Sequence, residues 1–300
     1  MELRQLSYFA KAAETLNFSE AARMLCITQS TLSQQIKQLE ESLNVQLFQR
    51  NSHSVALTEA GEELLPYALN ALQAAETCID RINDLKDSLT GNLNIGVTYS
   101  FSPILTETLF AFTEKYPHVK LNIYYKSMAE LMDMLQHRQV DFVLAFKPIE
   151  HFEGIESHIL FENYLAAVVN DRHPLARKEK VSLAELERFD IALPAPGMQA
   201  RSVLNKITER FRCKLRIRIE LNEVNILLKL VRQSNLVTIL SEAIIHNETG
   251  VKAIPLDAPD NEMKGCVHVL KNVYRKHSSI EFIRLLSESN AIRERIRHWV

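Results

Sequence analysis

The chain has 300 residues, 46% of them hydrophobic and 24% charged, which suits about two globular domains and excludes a disordered protein. Its net charge of −2 excludes a strongly basic, non-specific binder of polyanions. Its apolar runs are short and interrupted, as at 226–231 by Lys229, so no membrane span and no membrane partner is expected.

Residues 1–58 read as a small helical domain. Leu6, Phe9, Ala10, Ala13 and Leu16 recur at helical spacing and predict a first helix. Asn17-Phe18-Ser19 breaks it, and Ser19 is the expected N-cap of a second helix over 20–25. Cys26-Ile27-Thr28 forms a turn, and Thr28 caps a third helix over 29–43 with Leu32, Ile36, Leu39 and Leu43 as its buried stripe. Asn44-Val45 ends that helix. Leu47-Phe48 and Val55–Leu57 then predict two short strands around Asn51-Ser52-His53, a small wing.

A short helix, a three-residue turn and a helix showing small polar groups predict a helix-turn-helix. Gln29, Ser30, Ser33 and Gln34 face outward from the third helix. Gln can pair with both polar atoms of an adenine edge, and Ser can donate or accept. Lys37, one turn later, suits a phosphate. The expected partner is double-stranded DNA. Charge is scarce, however: Arg4, Lys11, Arg23, Lys37 and Arg50 stand against Glu2, Glu14, Glu20, Glu40, Glu41 and Glu59, a net of −1 over residues 1–60. Non-specific affinity comes mainly from phosphate neutralisation, so this domain must gain affinity by dimerising.

Thr58 is the expected N-cap of a long helix reaching about Leu89. Within it Leu65, Ala68, Leu72, Ala75, Ile79 and Ile82 alternate at spacings of three and four, a coiled-coil seam. A dimerising linker over 59–89 is therefore expected. The alternative is a single amphipathic helix against its own core. Pro66 is tolerable near the start but could kink the helix.

Beyond Thr90-Gly91-Asn92 the pattern changes. Segments such as LNIGVTYS, KLNIYYK, VDFVLAF, YLAAVVN, FDIALPA, LRIRIEL, LVTIL and CVHVL predict strands. They alternate with helical stretches near 104–115, 128–137, 200–211, 225–233 and 279–289. The alternation predicts an α/β domain over 90–300 with a largely parallel sheet, in two similar halves. Ligands of such folds sit beyond the carboxyl ends of strands, where helix N-termini converge. The first strand runs through Thr98 into Ser100 and Phe101, with Ser102 as expected N-cap and Pro103 at the first helical position. Phe146-Lys147-Pro148 and Met198-Gln199 with Arg201 face the same cleft by chain order. Arg201 and the local amides would suit a carboxylate, or Arg201 and Lys147 serve only in surface ion pairs. Asn225 is a weaker candidate.

Cys26, Cys78, Cys213 and Cys266 lack CxxC spacing, and the ten histidines show no ligand spacing, so no metal and no cofactor is expected. No catalytic constellation and no P-loop is present, so no enzyme is expected. The N-terminus MELRQLSYFAKAAE lacks a signal-peptide pattern, which predicts a cytoplasmic location.

Several of these residues carry a family resemblance. Ala21-Ala22, Leu25, Thr28-Gln29-Ser30, Leu32-Ser33, Ile36, Leu39-Glu40, Leu43, Leu47-Phe48, Arg50, Leu57-Thr58 and Ala60-Gly61 resemble the N-terminal signature of LysR-type transcriptional regulators, densely over residues 1–65. Beyond that only the layout is similar. The resemblance implies a winged helix-turn-helix, a linker helix and a two-lobed domain like a periplasmic binding protein, with lobe I over 91–163 and 267–300 and lobe II over 164–266. It implies base contacts by Gln29, Ser30, Ser33 and Gln34, and backbone or minor-groove contacts by Arg50 and the wing. It places a small-molecule effector, read here as anionic, near Ser100, and implies a homodimer or a homotetramer built as a dimer of dimers. The effector would change the angle between the lobes and so the spacing of the DNA-binding heads. His53 stands where the family often has Arg, which predicts weaker wing contacts. Two alternatives remain: a redox sensor of this architecture using Cys213 and Cys266, or a small-molecule-binding protein with an accessory helical domain.

Overall fold

The computed structural model describes residues 1–50, 54–84, 89–148, 150–245, 248–289 and 292. The chain forms two compact bodies, Met1–Asp87 and Ser88–Val300.

In the first body, α1 (Leu3–Thr15), α2 (Phe18–Met24) and α3 (Gln29–Leu43) enclose Leu6, Phe9, Phe18, Leu32, Ile36 and Leu39. Helical spacing selected all of these except Phe18, which was read as part of a break; Leu16, which it also selected, is instead exposed at the left-handed C-cap of α1. The caps differ at one place. Asn17, not Ser19, caps α2: its side chain accepts from the Ser19 and Glu20 amides at 3.0 and 3.1 Å. Asn17 is extended and already outside the helix, which leaves Ser19 in the first turn. Thr28 caps α3 by accepting from the Thr31 amide at 3.1 Å. Asn44 closes α3 in the left-handed region at φ 55°, a conformation Asn tolerates better than most residues.

Strands β1 (Phe48–Arg50) and β2 (Val55–Leu57) pair antiparallel. Glu40 ties them to α3. Its buried carboxylate accepts from the Leu47 and Phe48 amides at 2.8 and 3.2 Å. Helix α4 (Glu59–Asp84) starts at Thr58, whose hydroxyl accepts from the Gly61 amide at 3.0 Å. Only glycine fits at 61, because a Cβ there would lie 2.2 Å from the Leu47 carbonyl oxygen.

Two expectations for α4 change. Its apolar stripe does have a mate within the chain: α1 packs against α4, and Ala68 is buried in the first body's core with Leu65 and Leu72 beside it. Only the distal part stays open, with Ile79 63% and Ile82 58% exposed. Leu89 is not helical and packs on the core of the second body.

The second body is α/β with two lobes. In the first lobe β4 (Val119–Tyr125), β3 (Gly91–Val97), β5 (Phe142–Phe146) and β11 (Glu262–Leu270) lie side by side, and β6 (Ile155–Asn170) follows β11. In the second, β10 (Val251–Pro255) and β9 (Thr238–Ser241) flank the far half of β6, and β7 (Asp190–Pro194) pairs with β8 (Arg216–Leu221). A bridge between Ile191 and Val237 joins these two groups. The sheet is mixed rather than largely parallel. Among the paired strands of the described residues, β3–β4, β3–β5 and β7–β8 are parallel, while β6 and β11 run antiparallel to each other through both lobes. The expected lobe boundaries at 163/164 and 266/267 fall inside these two strands. A bulge between Gly265 and Cys266 bends the pair, where a Cβ on residue 265 would meet the Phe161 ring at 2.5 Å.

One apolar core runs through both lobes. It includes Phe101, Phe112, Phe146 and Phe161 with Phe282 of α10 (His277–Glu288), and Leu204 and Ile207 of α8 (Gln199–Phe211). On the opposite faces, α6 (Met128–Gln136) covers the first lobe and α9 (Val224–Gln233) the second. Two further helices among the described residues are α5 (Ser102–Lys115) and the single turn α7 (Leu183–Leu186).

Candidate DNA-reading surface and effector cleft

The turn between α2 and α3 places Cys26 at φ 54° and aims the α3 N-terminus outward. Gln29, Ser30, Gln34 and Lys37 are exposed and Ser33 half-buried, while Leu32, Ile36 and Leu39 face the core. The Gln29 amide donates to the Ser33 hydroxyl at 3.0 Å, one turn away. This contact orients the Gln29 carbonyl and holds both side chains as one polar unit. Thr28 is committed to capping, with its hydroxyl also 2.9 Å from Ser30 and 2.7 Å from Thr31. Thr31 is exposed on this surface too. Sequence reasoning passed over it, although its place three residues after a capping Thr was readable. Ser19 is exposed on the first turn of α2.

Two cations are less free than expected. Lys37 lies 3.7 Å from Glu41 on its own helix, an exposed pair that phosphate can displace at little cost. Arg50 sits 4.2 Å above the Phe18 ring and 3.7 Å from the Glu40 carboxylate. It is thus a bracket between β1, α2 and α3 as well as a wing cation. His53 lies outside the described residues.

In the second body a cavity of about 430 Å³ opens between the lobes. Thr98, Tyr99 and Ser100 line it from the end of β3, and Ser127 from the start of α6. Pro196–Ala200 and Asn222–Val224 line it from the second lobe. Two hydrogen-bonded contacts hold the lobes together beside it. The Tyr99 hydroxyl donates to Glu223 at 2.7 Å, and that bond with the carboxylate pushes the Tyr99 pKa up. The Gln199 amide clasps the Phe146 backbone, accepting from its N–H at 3.1 Å and donating to its carbonyl at 2.7 Å. Ser127 and Glu130 form a reciprocal capping box on α6, readable as S-x-x-E, which lowers the Glu130 pKa. Helix α8 is different. Its N-cap Met198 offers no side-chain cap, so its first amides face the cleft without one.

Thr98, Ser100, Met198 and Gln199 line this cavity together. Phe101 does not. It is fully buried, its ring tilted against Phe146 at 5.4 Å and Phe161 at 5.5 Å between centroids, because the turn at 99–101 rolls it into the core. Helix α5 accordingly starts at Ser102 with Phe101 in the cap position, and the Ser102 hydroxyl donates to the Tyr99 carbonyl at 2.9 Å instead of capping. The Phe146 ring is buried as well, and only its backbone takes part. Arg201 is spent on the fold. Its guanidinium donates to Asn205 at 2.7 Å, to the Pro194 carbonyl at 3.1 Å, and to Glu220. It does not line the cleft, since three residues into α8 a side chain has turned toward β7 and β8. Asn225 is exposed on α9 outside the cavity. Tyr99, Ser127 and Glu223 were missed. Glu223 comes from a loop 124 residues from Tyr99, and no local pattern announces that meeting.

Cys213 and Cys266 are both pushed up to about 11, mainly by burial. At neutral pH they are thiols, the slow form toward peroxide.

A helix-turn-helix body joined in one chain to a two-lobed cleft body defines a ligand-responsive DNA-binding protein. The chain belongs to the LysR family: the model for the bacterial regulatory helix-turn-helix protein of the lysR family matches residues 3–62, and that for the LysR substrate binding domain matches residues 86–291. It is similar to the transcriptional dual regulator GltC of Bacillus subtilis (strain 168), 32% identical over 274 residues that cover 90% of this chain and 91% of GltC. Its fold is similar to that of a full-length OxyR variant from Pseudomonas aeruginosa, with a TM-score of 0.72 at 21% identity over 98% of this chain and 95% of that one. The fold is also similar to that of full-length CbnR complexed with its target DNA, with a TM-score of 0.66 at 21% identity over 98% and 99%. The protein is a DNA-binding transcriptional regulator modulated by a small-molecule effector. Among the described residues no helix is long and apolar enough to cross a membrane.

Proposed function

We propose that the effector is a small carboxylate that also carries a hydroxyl or amino group, bound in the 430 Å³ cleft. The observation that carries this is the uncapped N-terminus of α8 facing the Thr98–Ser100 turn across the cavity. A carboxylate there takes the first-turn amides of α8 and the Ser100 hydroxyl. Glu130 and Glu223 also line the cleft, with Lys126 as the one cation beside them among the described residues, so a purely anionic ligand is disfavoured. A donor group on the ligand meets Glu223, whose oxygens accept from Tyr99 and the Asn225 amide and keep further lone pairs for it. The ligand acts by binding one arrangement of the lobes more tightly than the other.

On the DNA side, Gln29, Ser30, Ser33 and Gln34 read base edges, while Ser19, Thr28, Lys37, Arg50 and His53 approach the backbone. The chain works as a homodimer or a dimer of dimers in the cytoplasm and catalyses no reaction. Thermal-shift and calorimetric titration of the full chain with small hydroxy- and amino-carboxylates tests the effector site, because a ligand of the native state raises its melting temperature. Ser100→Ala should weaken a hit about tenfold. Arg201→Ala should lower stability but leave the ligand's Kd unchanged. A hit indifferent to Ser100→Ala overturns the site. Footprinting with Gln29→Ala tests the reading surface: uniform loss across sequences, with no relaxed position, would remove Gln29 from base recognition.

A further inference from the structure

A second cavity adjoins the first, and both Gln199 and Phe146 of the clasp line it. It has a volume of about 730 Å³, within the range of small-molecule sites, and it does not include the Thr98–Ser100 turn. Its walls are largely apolar, with Met128, Phe152, Ile207 and Met263 facing it. Its rim is cationic. Lys264 is paired with Glu162 and Glu262, and Arg210 with Asp260. Lys147 and Lys206 are exposed and have no carboxylate at ion-pairing distance among the described residues. Glu150 is the remaining carboxylate on the rim among the described residues, so the unpaired charge is positive.

The two lysines come from different lobes. Lys147 follows β5 in the first, and Lys206 is on α8 in the second. The smaller cleft has the reverse character, with polar hydroxyls and two carboxylates. One chain thus holds two adjacent cavities of different chemistry, sharing Gln199, Gly197 and Met128.

We propose that this chamber is a second ligand site, for an amphipathic anion with an apolar ring body and an acidic head held between Lys147 and Lys206. Such a ligand buries its body on the methionine and phenylalanine walls and joins the two lobes through its head. The site does not rest on the effector reading of the smaller cleft.

The test uses the full chain and the fluorescent anion 8-anilino-1-naphthalenesulfonate, with its neutral analogue N-phenyl-1-naphthylamine. The expected result is saturable binding of one sulfonate probe per chain. Lys147→Met with Lys206→Met should weaken it about tenfold, a change typical of losing a charge-assisted contact. The neutral analogue should bind about tenfold more weakly than the sulfonate and be insensitive to the two substitutions. Ser100→Ala should leave the probe's affinity unchanged. Both lysines are exposed, so the double variant retains the fold, checked by its melting temperature. Equal affinity for native and double-variant protein overturns the proposal, and so does non-saturable binding. Weakening by Ser100→Ala instead would place the probe in the smaller cleft, overturning this site while leaving the effector reading intact.

Discussion

Glu40→Ala should loosen the wing from the recognition helix and lower the stability of the DNA-binding body by about 2–4 kcal/mol. The side chain is 4% exposed and is the acceptor for two backbone amides, Leu47 at 2.8 Å and Phe48 at 3.2 Å. Removing it strands both donors, and each buried unsatisfied group costs roughly 1–3 kcal/mol. The lower part of the summed range is expected, since the alanine cavity admits some water. Glu40→Gln separates the hydrogen bonds from the charge. Its carbonyl oxygen still serves the two amides, and only the attraction to Arg50 at 3.7 Å is lost. Arg50 is 37% exposed, so that loss is small, about 0.5–1 kcal/mol. Urea unfolding followed by far-UV circular dichroism gives the ranking, and hydrogen exchange at the Leu47 and Phe48 amides gives its location. Stability of Glu40→Ala within about 0.5 kcal/mol of native, with those amides still protected, would refute the argument.

Three further outcomes follow from the same packing. Gly61→Ala should lower the melting temperature of the first body, at a cost of about 2 kcal/mol or more, because its Cβ would press on the Leu47 carbonyl; an unchanged melting temperature contradicts this. His268 is buried between Ser157 at 2.8 Å and the Ala145 carbonyl at 3.2 Å, and burial pushes its pKa down to about 4. Its folded value lies below the unfolded value near 6.5, so its contribution is full above pH 6.5 and is lost as pH falls toward 4, about 3 kcal/mol at most. Unfolding measured from pH 7 to 4 should show that slope, and His268→Gln should flatten it. Ile79→Asp with Ile82→Asp should weaken self-association at least about 100-fold, since two exposed isoleucines contribute about 1.5–3 kcal/mol each when buried. Sedimentation equilibrium measures this, and an unchanged mass would remove the distal part of α4 from the interface.

Much of the reading surface was legible because it is local. A cap, a stripe at helical spacing and an outward row of Gln and Ser all lie within a few turns, so Thr28, Leu32, Ile36 and Gln29 reveal their places by spacing alone. Glu40 shows the limit of such reading. In the sequence it counts as one negative charge in the domain's balance and one position of the family signature, and only the return of β1 against α3 makes it the buried anchor of the wing.

In the second body the sequence determined most strands and helices, and that the turn after β3 reaches a cleft, but β10, the single turn α7 and the first half of β6 were not among the predicted elements. Hydrophobic periodicity carries that information. Strand direction was decided by tertiary structure, because β6 and β11 pair over more than ninety residues of chain and periodicity is the same in either sense. The fates of the polar side chains were decided there as well. Arg201 was captured by Glu220 and Asn205, Phe101 by two other rings, and Gln199 by the Phe146 backbone. A charge or an amide declares what it can bond, but only the folded neighbourhood determines which partner reaches it first.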